Sequence, residues 1–490
     1  MPAPTFAAIG TVDALIVIVY VCAAASIGVL LGRGQTDNRQ FFLADHRLPT
    51  WALLLSIVAT ETSTVTFLSI PGKSFVADGN FTFLQIAFGY ILGRLAIVAF
   101  LLPGYFRGEM LSAYQVLEQR YGIATRRLAS LVFLVMRNLA DGLRMMLAAM
   151  VLNTAFGFDY LTCVLVIGSA TAIYSCCGGV RSVVWNDCLQ FAVYMIGAVA
   201  VFAAIVSRIP DGWQQIVQFG HDTGRWSLFD FDPSLTKPNI TFWSGTIGGA
   251  FLALATHGAD QMMVQRYLCA RSQKSASWAL ALSGFMVFLQ FAFFLTIGVA
   301  LACFFSLYPP PSPIEKGDDA LVTFIVHFTS AGLRGLVLAA IFSASMSSSL
   351  NSVASSFMSD WLEPIFGKPS DRRGLFIARC LTIVFAVIQA AVAIIAYAFQ
   401  HSVVDAVLGI AGFSTGLILG LYGLGLIGRR TTEPVALVAF SAGTIATCVV
   451  AFGTEIHWSW YTLVGSGTIV IVGLLLSAIF VRPKVEPSSP

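Results

Sequence analysis

Charge is scarce in this chain of 490 residues: Asp, Glu, Lys and Arg together make up only 11% of it, and the formal net charge is +3. So few ionisable groups cannot solvate a soluble protein of this length, and they offer no basis for a nucleic-acid partner. The nine cysteines show neither metal-type nor disulfide-type spacing. The adjacent pair Cys176 and Cys177 lies in an apolar stretch where helix packing accounts for it, so no redox compartment follows. The six histidines, at 46, 221, 257, 327, 401 and 457, are scattered. No nucleophile, base or metal cluster emerges from them, so an enzyme is not expected, nor an organic cofactor. A repeated selectivity-filter segment is also missing, which disfavours a channel. No signalling domain of the kind a membrane sensor appends is expected either. The first apolar run has no basic leader and is followed by Gly32, Arg33 and a polar loop, so it reads as a retained helix rather than a secretion signal.

What the chain has in abundance is apolar surface. Hydrophobic residues make up 57%, with 43 glycines and 39 phenylalanines, a balance that suits helices bundled in lipid, where small residues let backbones approach. About thirteen stretches are long enough to cross some 30 Å of hydrocarbon. They lie near 12–32, 51–71, 81–103, 128–157, 160–178, 183–207, 241–264, 275–307, 333–361, 374–399, 403–427, 433–453 and 460–481. The pattern predicts an all-α polytopic membrane protein forming one transmembrane domain, with the bilayer as its first partner.

Cations alternate between loops. One set holds Arg33, Arg39 and Arg47; Arg107, Arg120, Arg126 and Arg127; Arg181; Arg266, Arg271 and Lys274; Lys368, Arg372 and Arg373; Arg429 and Arg430; and Arg482 and Lys484. The opposite set is poor in them. Because positive loops resist translocation, this predicts an N-terminus outside and a cytoplasmic C-terminus in a plasma (inner) membrane. The two longest connections, 208–240 and 308–332, then fall on the outer side.

Polar groups inside the spans locate the chemistry, since each is costly in lipid unless it is paired or lines a cavity. The second span reads Ala59-Thr60-Glu61-Thr62-Ser63-Thr64-Val65-Thr66. The seventh carries Thr256, His257, Asp260 and Gln261, and the ninth carries Ser343, Ser345, Ser347, Ser348, Ser349, Asn351 and Ser352. Isolated serines and threonines usually bond the carbonyl one turn back or join helices. The unbroken run at 60–64 predicts instead a partly unwound helix whose freed carbonyls and hydroxyls replace the hydration shell of a hard cation such as Na⁺.

These residues resemble the sodium:solute symporter family. The most specific match is Asp260-Gln261-Met262-Met263-Val264-Gln265-Arg266-Tyr267-Leu268. Gly178-Gly179-Val180-Arg181 running on to Asp187, and Met346-Ser347-Ser348 followed by Leu350-Asn351-Ser352, are similar to two further family segments. The resemblance implies a LeuT-type core of two inverted five-helix repeats, about 51–207 and 241–427, after one extra helix (12–32) and before two more (433–481). It implies sodium-coupled symport of a small polar organic solute by alternating access, a sugar, a sugar acid or another carboxylate, with proton coupling as the nearer alternative.

Sodium is then the only metal ion required, and a monomer suffices. Ala59 and Thr62 match the family's sodium-binding carbonyls. Ser347 and Ser348 match its hydroxyl ligands, or Ala344 and Ser345 do if the register is anchored on Asn351. Asp187 matches an acid at a second ion site or at the ion exit, although Leu350 falls where those relatives carry a hydroxyl. Thr60, Glu61, Ser63, Thr256 and His257 fall at the substrate cavity without reproducing a sugar pocket, and Arg144 resembles an arginine that contacts a substrate carboxylate. Glu61 and Arg144 are also candidates to neutralise each other.

Overall fold

The structure is a computed structural model that describes residues 10–32, 38–62, 64–107, 112–310, 313–314, 316–345, 349–399, 403–428 and 430–480. Among these, the chain is helical almost throughout, with one isolated bridge between Leu48 and Ala270 in place of any sheet. In chain order the principal helices are α1 (Thr11–Gly32), α2 (Thr50–Glu61), α3 (Thr64–Phe75), α4 (Gln85–Ala96), α5 (Ile123–Phe156), α6 (Tyr160–Val206), α7 (Trp213–Asp222) and α8 (Gly249–Gly258). There follow α9 (Gln261–Leu268), α10 (Gln273–Leu307), α11 (Gly317–Phe328), α12 (Leu333–Ser345), α13 (Leu350–Phe357), α14 (Asp371–Ala396), α15 (Val403–Ile427), α16 (Glu433–Gly453) and α17 (Tyr461–Phe480).

Each apolar stretch read from the sequence coincides with helix. Among the described residues, by length and composition, seven helices qualify as membrane spans, or eight if the bent pair α2–α3 counts as one, against an expectation of about thirteen. Some stretches are broken, as α8 and α9 are, and each such fragment alone is too short to cross the hydrocarbon. Large apolar side chains such as Phe100, Phe376 and Phe452 face outward, which suits lipid and not water.

Two breaks shape the centre. The first comes at the end of α2, where Thr62 adopts an extended backbone and α3 sets off at 60°. The local sequence favours this, because Ser and Thr hydroxyls compete for helix carbonyls. Thr60 Oγ1 donates to the Ser56 carbonyl (2.7 Å), Thr62 Oγ1 to that of Val58 (3.0 Å) and Thr66 Oγ1 to that of Glu61 (3.2 Å). The second break separates α8 from α9 at Ala259–Asp260. Gly258 ends one helix, and the Asp260 side chain caps the next by accepting from the Met262 amide (2.8 Å).

Elsewhere α6 covers two expected spans that meet at a kink at Gly179, where φ is +57° and a Cβ would strike the Phe41 carbonyl. Asp13 anchors α1 to the start of α12 by accepting from the amides of Gly332 (2.7 Å) and Gly335 (2.8 Å). The two long connections are structured as well. Helix α7 lies in the first, and in the second α11 packs so closely on α3 that Gly72 and Gly317 touch backbone to backbone.

Candidate functional site

A cavity lies where the two breaks meet. Helix α2 gives it Thr60 and Glu61; α3 gives Thr66, Ser69, Ile70 and Lys73; α5 gives Phe133, Arg137, Ala140 and Arg144; and α8 gives Leu252, Thr256 and His257. Tyr90, Asp260, Phe291, Ser414 and Thr415 complete its walls. The sequence-predicted substrate residues Thr60, Glu61, Arg144, Thr256 and His257 all line it, while Ser63 lies outside the described residues.

The charges are arranged in two groups. On one wall Glu61 pairs with Arg94 of α4, a wholly buried guanidinium that also donates to Ser283 Oγ (2.9 Å) and to His257 Nε2 (3.1 Å). Because arginine can only donate, Nε2 of His257 accepts, and its proton resides on Nδ1, 3.0 Å from Thr256 Oγ1. The His257 ring also approaches Glu61 to 3.6 Å. The mutual neutralisation of Glu61 and Arg144 considered from the sequence is therefore not what occurs. Arg94, two turns into a neighbouring helix, takes Glu61, and Arg144 turns to its own helix.

There, on the opposite wall, Arg137 Nε donates to Asp141 (2.9 Å) and Arg144 Nη1 to the other oxygen of the same carboxylate (3.3 Å). Positions 137, 141 and 144 fall on one face of α5, so the three meet by helical periodicity. Two guanidinium groups thus share one carboxylate on this wall, with Asp260 the other acid of the cavity near them. Arg144 Nε is buried and has no hydrogen-bond partner among the described residues.

Of the sodium candidates, Ala59 and Thr62 sit at the first break, where carbonyls lose their helical partners. Thr62 Oγ1 also lies 2.9 Å from the side-chain amide of Gln290, tying the break to α10. Ala344 and Ser345 end α12, while Ser347 and Ser348 lie outside the described residues. Just beyond, Ser352 donates to Gln265 Oε1 (2.6 Å), so that hydroxyl serves packing. Asp187 is fully buried. It accepts from Ser56 Oγ and from Arg266 Nη2 (3.0 Å), while Arg266 also donates to Ser56 Oγ (2.9 Å) and to the Met262 carbonyl (2.7 Å). This clasp joins α2, α6 and α9.

Four charged residues at the site were not singled out in the sequence: Lys73, Arg94, Arg137 and Asp141. The signal was present for three of them, since Arg94, Arg137 and Asp141 are ionisable residues inside apolar spans.

The sequence and the fold have known counterparts. The chain is 29% identical over 489 residues to a sodium/sialic acid symporter of Proteus mirabilis, covering 97% of this chain and 96% of that one. It is 28% identical over 445 residues to the human sodium-coupled monocarboxylate transporter 2, covering 89% and 71%. Among solved structures, the substrate-bound, outward-open form of a Na⁺-coupled sialic acid symporter superposes with a TM-score of 0.88 at 27% identity, over 96% of this chain and 98% of that one. The sodium:solute symporter family model matches residues 41–443, most of the chain, and on that match the chain belongs to the sodium:solute symporter family.

Proposed function

We propose that the protein is a sodium-coupled symporter that takes up a small polar solute bearing a carboxylate. The observation that carries this reading is the α5 wall, where Arg137 and Arg144 share the single carboxylate of Asp141 and Arg144 keeps a free buried donor. A guanidinium with an unsatisfied N–H in a partly dry cavity is a ready partner for a planar anion. The relatives named for sialic acid and for monocarboxylates support the same solute class.

In this reading the core is of LeuT type, with repeats at about 51–207 and 241–427, the N-terminus outside and the C-terminus cytoplasmic. Sodium binds at the first break, held by the carbonyls of Ala59 and Thr62 together with Ser347 and Ser348, or with Ala344 and Ser345 in the other register. Thr60, Glu61, Ser63, Thr256 and His257 border the solute, with Arg144 on its carboxylate. Alternating access rocks the two repeats about this site, and the Asp187–Arg266–Ser56 clasp closes the path to the cytoplasm, so Asp187 acts at the ion exit. Proton coupling is disfavoured by the pairing of Glu61 and by the arginine donor on His257 Nε2.

The test is uptake of labelled N-acetylneuraminate and lactate into proteoliposomes under an imposed sodium or proton gradient. Saturable uptake driven by sodium alone is expected, with uncharged sugars poor competitors. Arg144→Gln removes a charged hydrogen bond of about 1.5–3 kcal/mol, a KM increase of roughly 10- to 150-fold. Ser347→Ala with Ser348→Ala should raise the sodium concentration for half-maximal uptake; if it does not, Ser345→Ala should. Uptake that follows the proton gradient, or equal preference for neutral sugars, would refute the proposal.

A further inference from the structure

One cation of the cavity is not used by either charge group. Thr66, Ser69, Ile70 and Lys73 are spaced i, i+3, i+4 and i+7, so they form one stripe of α3 running along the cavity wall. A second, wider cavity adjoins the first and shares Ser69, Lys73 and Phe83 with it. Its remaining wall comes from the turn after α3, which includes Asp78, from both long connections, the second of which includes Asp318, and from His457 and Trp458. Lys73 therefore stands at the neck between a vestibule and the inner cavity. Its side chain is exposed, and no carboxylate of the described residues lies within ion-pair distance of it.

The ordinary structural role for a lysine there is to neutralise the C-terminal carbonyls of α3. That role is taken. Arg225, from the first long connection, donates to the carbonyls of Ser74 (2.6 Å), Phe75 (2.9 Å) and Val76 (2.6 Å), leaving the Lys73 ammonium free for the path. With Lys73, the inner cavity and its direct partners hold four cationic groups (Lys73, Arg94, Arg137, Arg144) against three carboxylates (Glu61, Asp141, Asp260). Without it the count is even, and the vestibule's Asp78 and Asp318 would repel an anion at the neck.

We propose that Lys73 is the entry contact for the anionic solute: it draws the carboxylate from the vestibule past Asp78 and Asp318 and hands it on to Arg144. The proposal rests on the carboxylate reading above. A charge that acts during approach changes the encounter rate and is screened by salt, whereas a packing role is not. Uptake of N-acetylneuraminate into proteoliposomes is compared for the wild type, Lys73→Gln and Lys73→Arg at a fixed sodium gradient, at about 20 mM and about 500 mM total ionic strength set with choline chloride. Lys73→Gln is expected to raise KM about tenfold at low ionic strength with maximal velocity retained, the gap closing at high ionic strength, while Lys73→Arg stays near the wild type. A KM for Lys73→Gln within twofold of wild type at low ionic strength, in a wild type that prefers acids, would overturn the role of Lys73 alone. So would an increase that salt does not diminish. A wild type that takes up uncharged N-acetylmannosamine as well as the acid would remove the carboxylate reading and this inference with it.

Discussion

Replacing Arg94 by glutamine should be the most damaging single change at the site to stability. Arg94 is wholly buried, and its guanidinium holds Glu61, His257 and Ser283 together, so it links α2, α4, α8 and α10. Its loss leaves the Glu61 carboxylate facing a cavity with no cation beside it. Breaking a buried pair in this way costs about 3–5 kcal/mol, the lower end applying here because Glu61 retains some contact with cavity solvent. The thermal midpoint of purified Arg94→Gln in detergent should fall by several degrees. The double variant Glu61→Gln with Arg94→Gln removes both charges and should recover most of that loss. Uptake then separates two roles. If it returns with stability, the pair only holds the helices; if stability returns and uptake does not, the Glu61 carboxylate contacts the solute. An unchanged thermal midpoint in Arg94→Gln would contradict the pairing itself.

Arg266→Gln should have an effect of similar size, read in turnover. Arg266 and Asp187 are both almost inaccessible, and their clasp with Ser56 spans three elements that an alternating-access cycle must move apart. Without the guanidinium, Asp187 keeps hydroxyl donors but no cation. A loss of about 3 kcal/mol from the clasped state shifts its population by roughly a hundredfold against states in which the clasp is open. Sodium-driven uptake should fall by about that factor, with Arg266→Lys partly active. Asp187→Asn distinguishes a clasp from an ion ligand. A clasp predicts loss of uptake with an unchanged sodium Hill coefficient, whereas a ligand of a second ion predicts a coefficient that begins above one and falls. A clear two-sodium stoichiometry lost on Asp187→Asn would assign Asp187 to the ion site instead of the exit.

Much of the architecture was legible before any coordinates. Lipid rewards long apolar runs and requires every backbone polar group to be satisfied within the segment, so the runs read from hydropathy return as helices at nearly the same positions. The first central break was visible too, because a run of hydroxyls at 60–64 disrupts a helix through contacts within a turn or two of chain. The family segments, from Gly178 to Asp187 and from Asp260 to Leu268, carried the fold as a resemblance that the match over residues 41–443 supports. The number of spans was less secure. A broken helix passes a hydropathy window as one stretch but fails as separate pieces, and α2 with α3, and α8 with α9, are such pieces.

Side-chain partnership was not legible. Glu61 and Arg94 are 33 residues apart, Arg94 and His257 163, and Ser56 and Asp187 131. Hydropathy marks such residues as costly in lipid without saying which neighbour offsets the cost, and the guess that Glu61 pairs with Arg144 failed for that reason. The sequence by itself determined the helices, the break at 60–64 and the presence of charge inside the bundle, since these follow from hydration and local hydrogen bonding. Only the tertiary structure decided that Arg94 neutralises Glu61, that Arg137 and Arg144 divide one carboxylate, and that Arg225 frees Lys73, because each depends on which helices pack side by side and how far each guanidinium reaches.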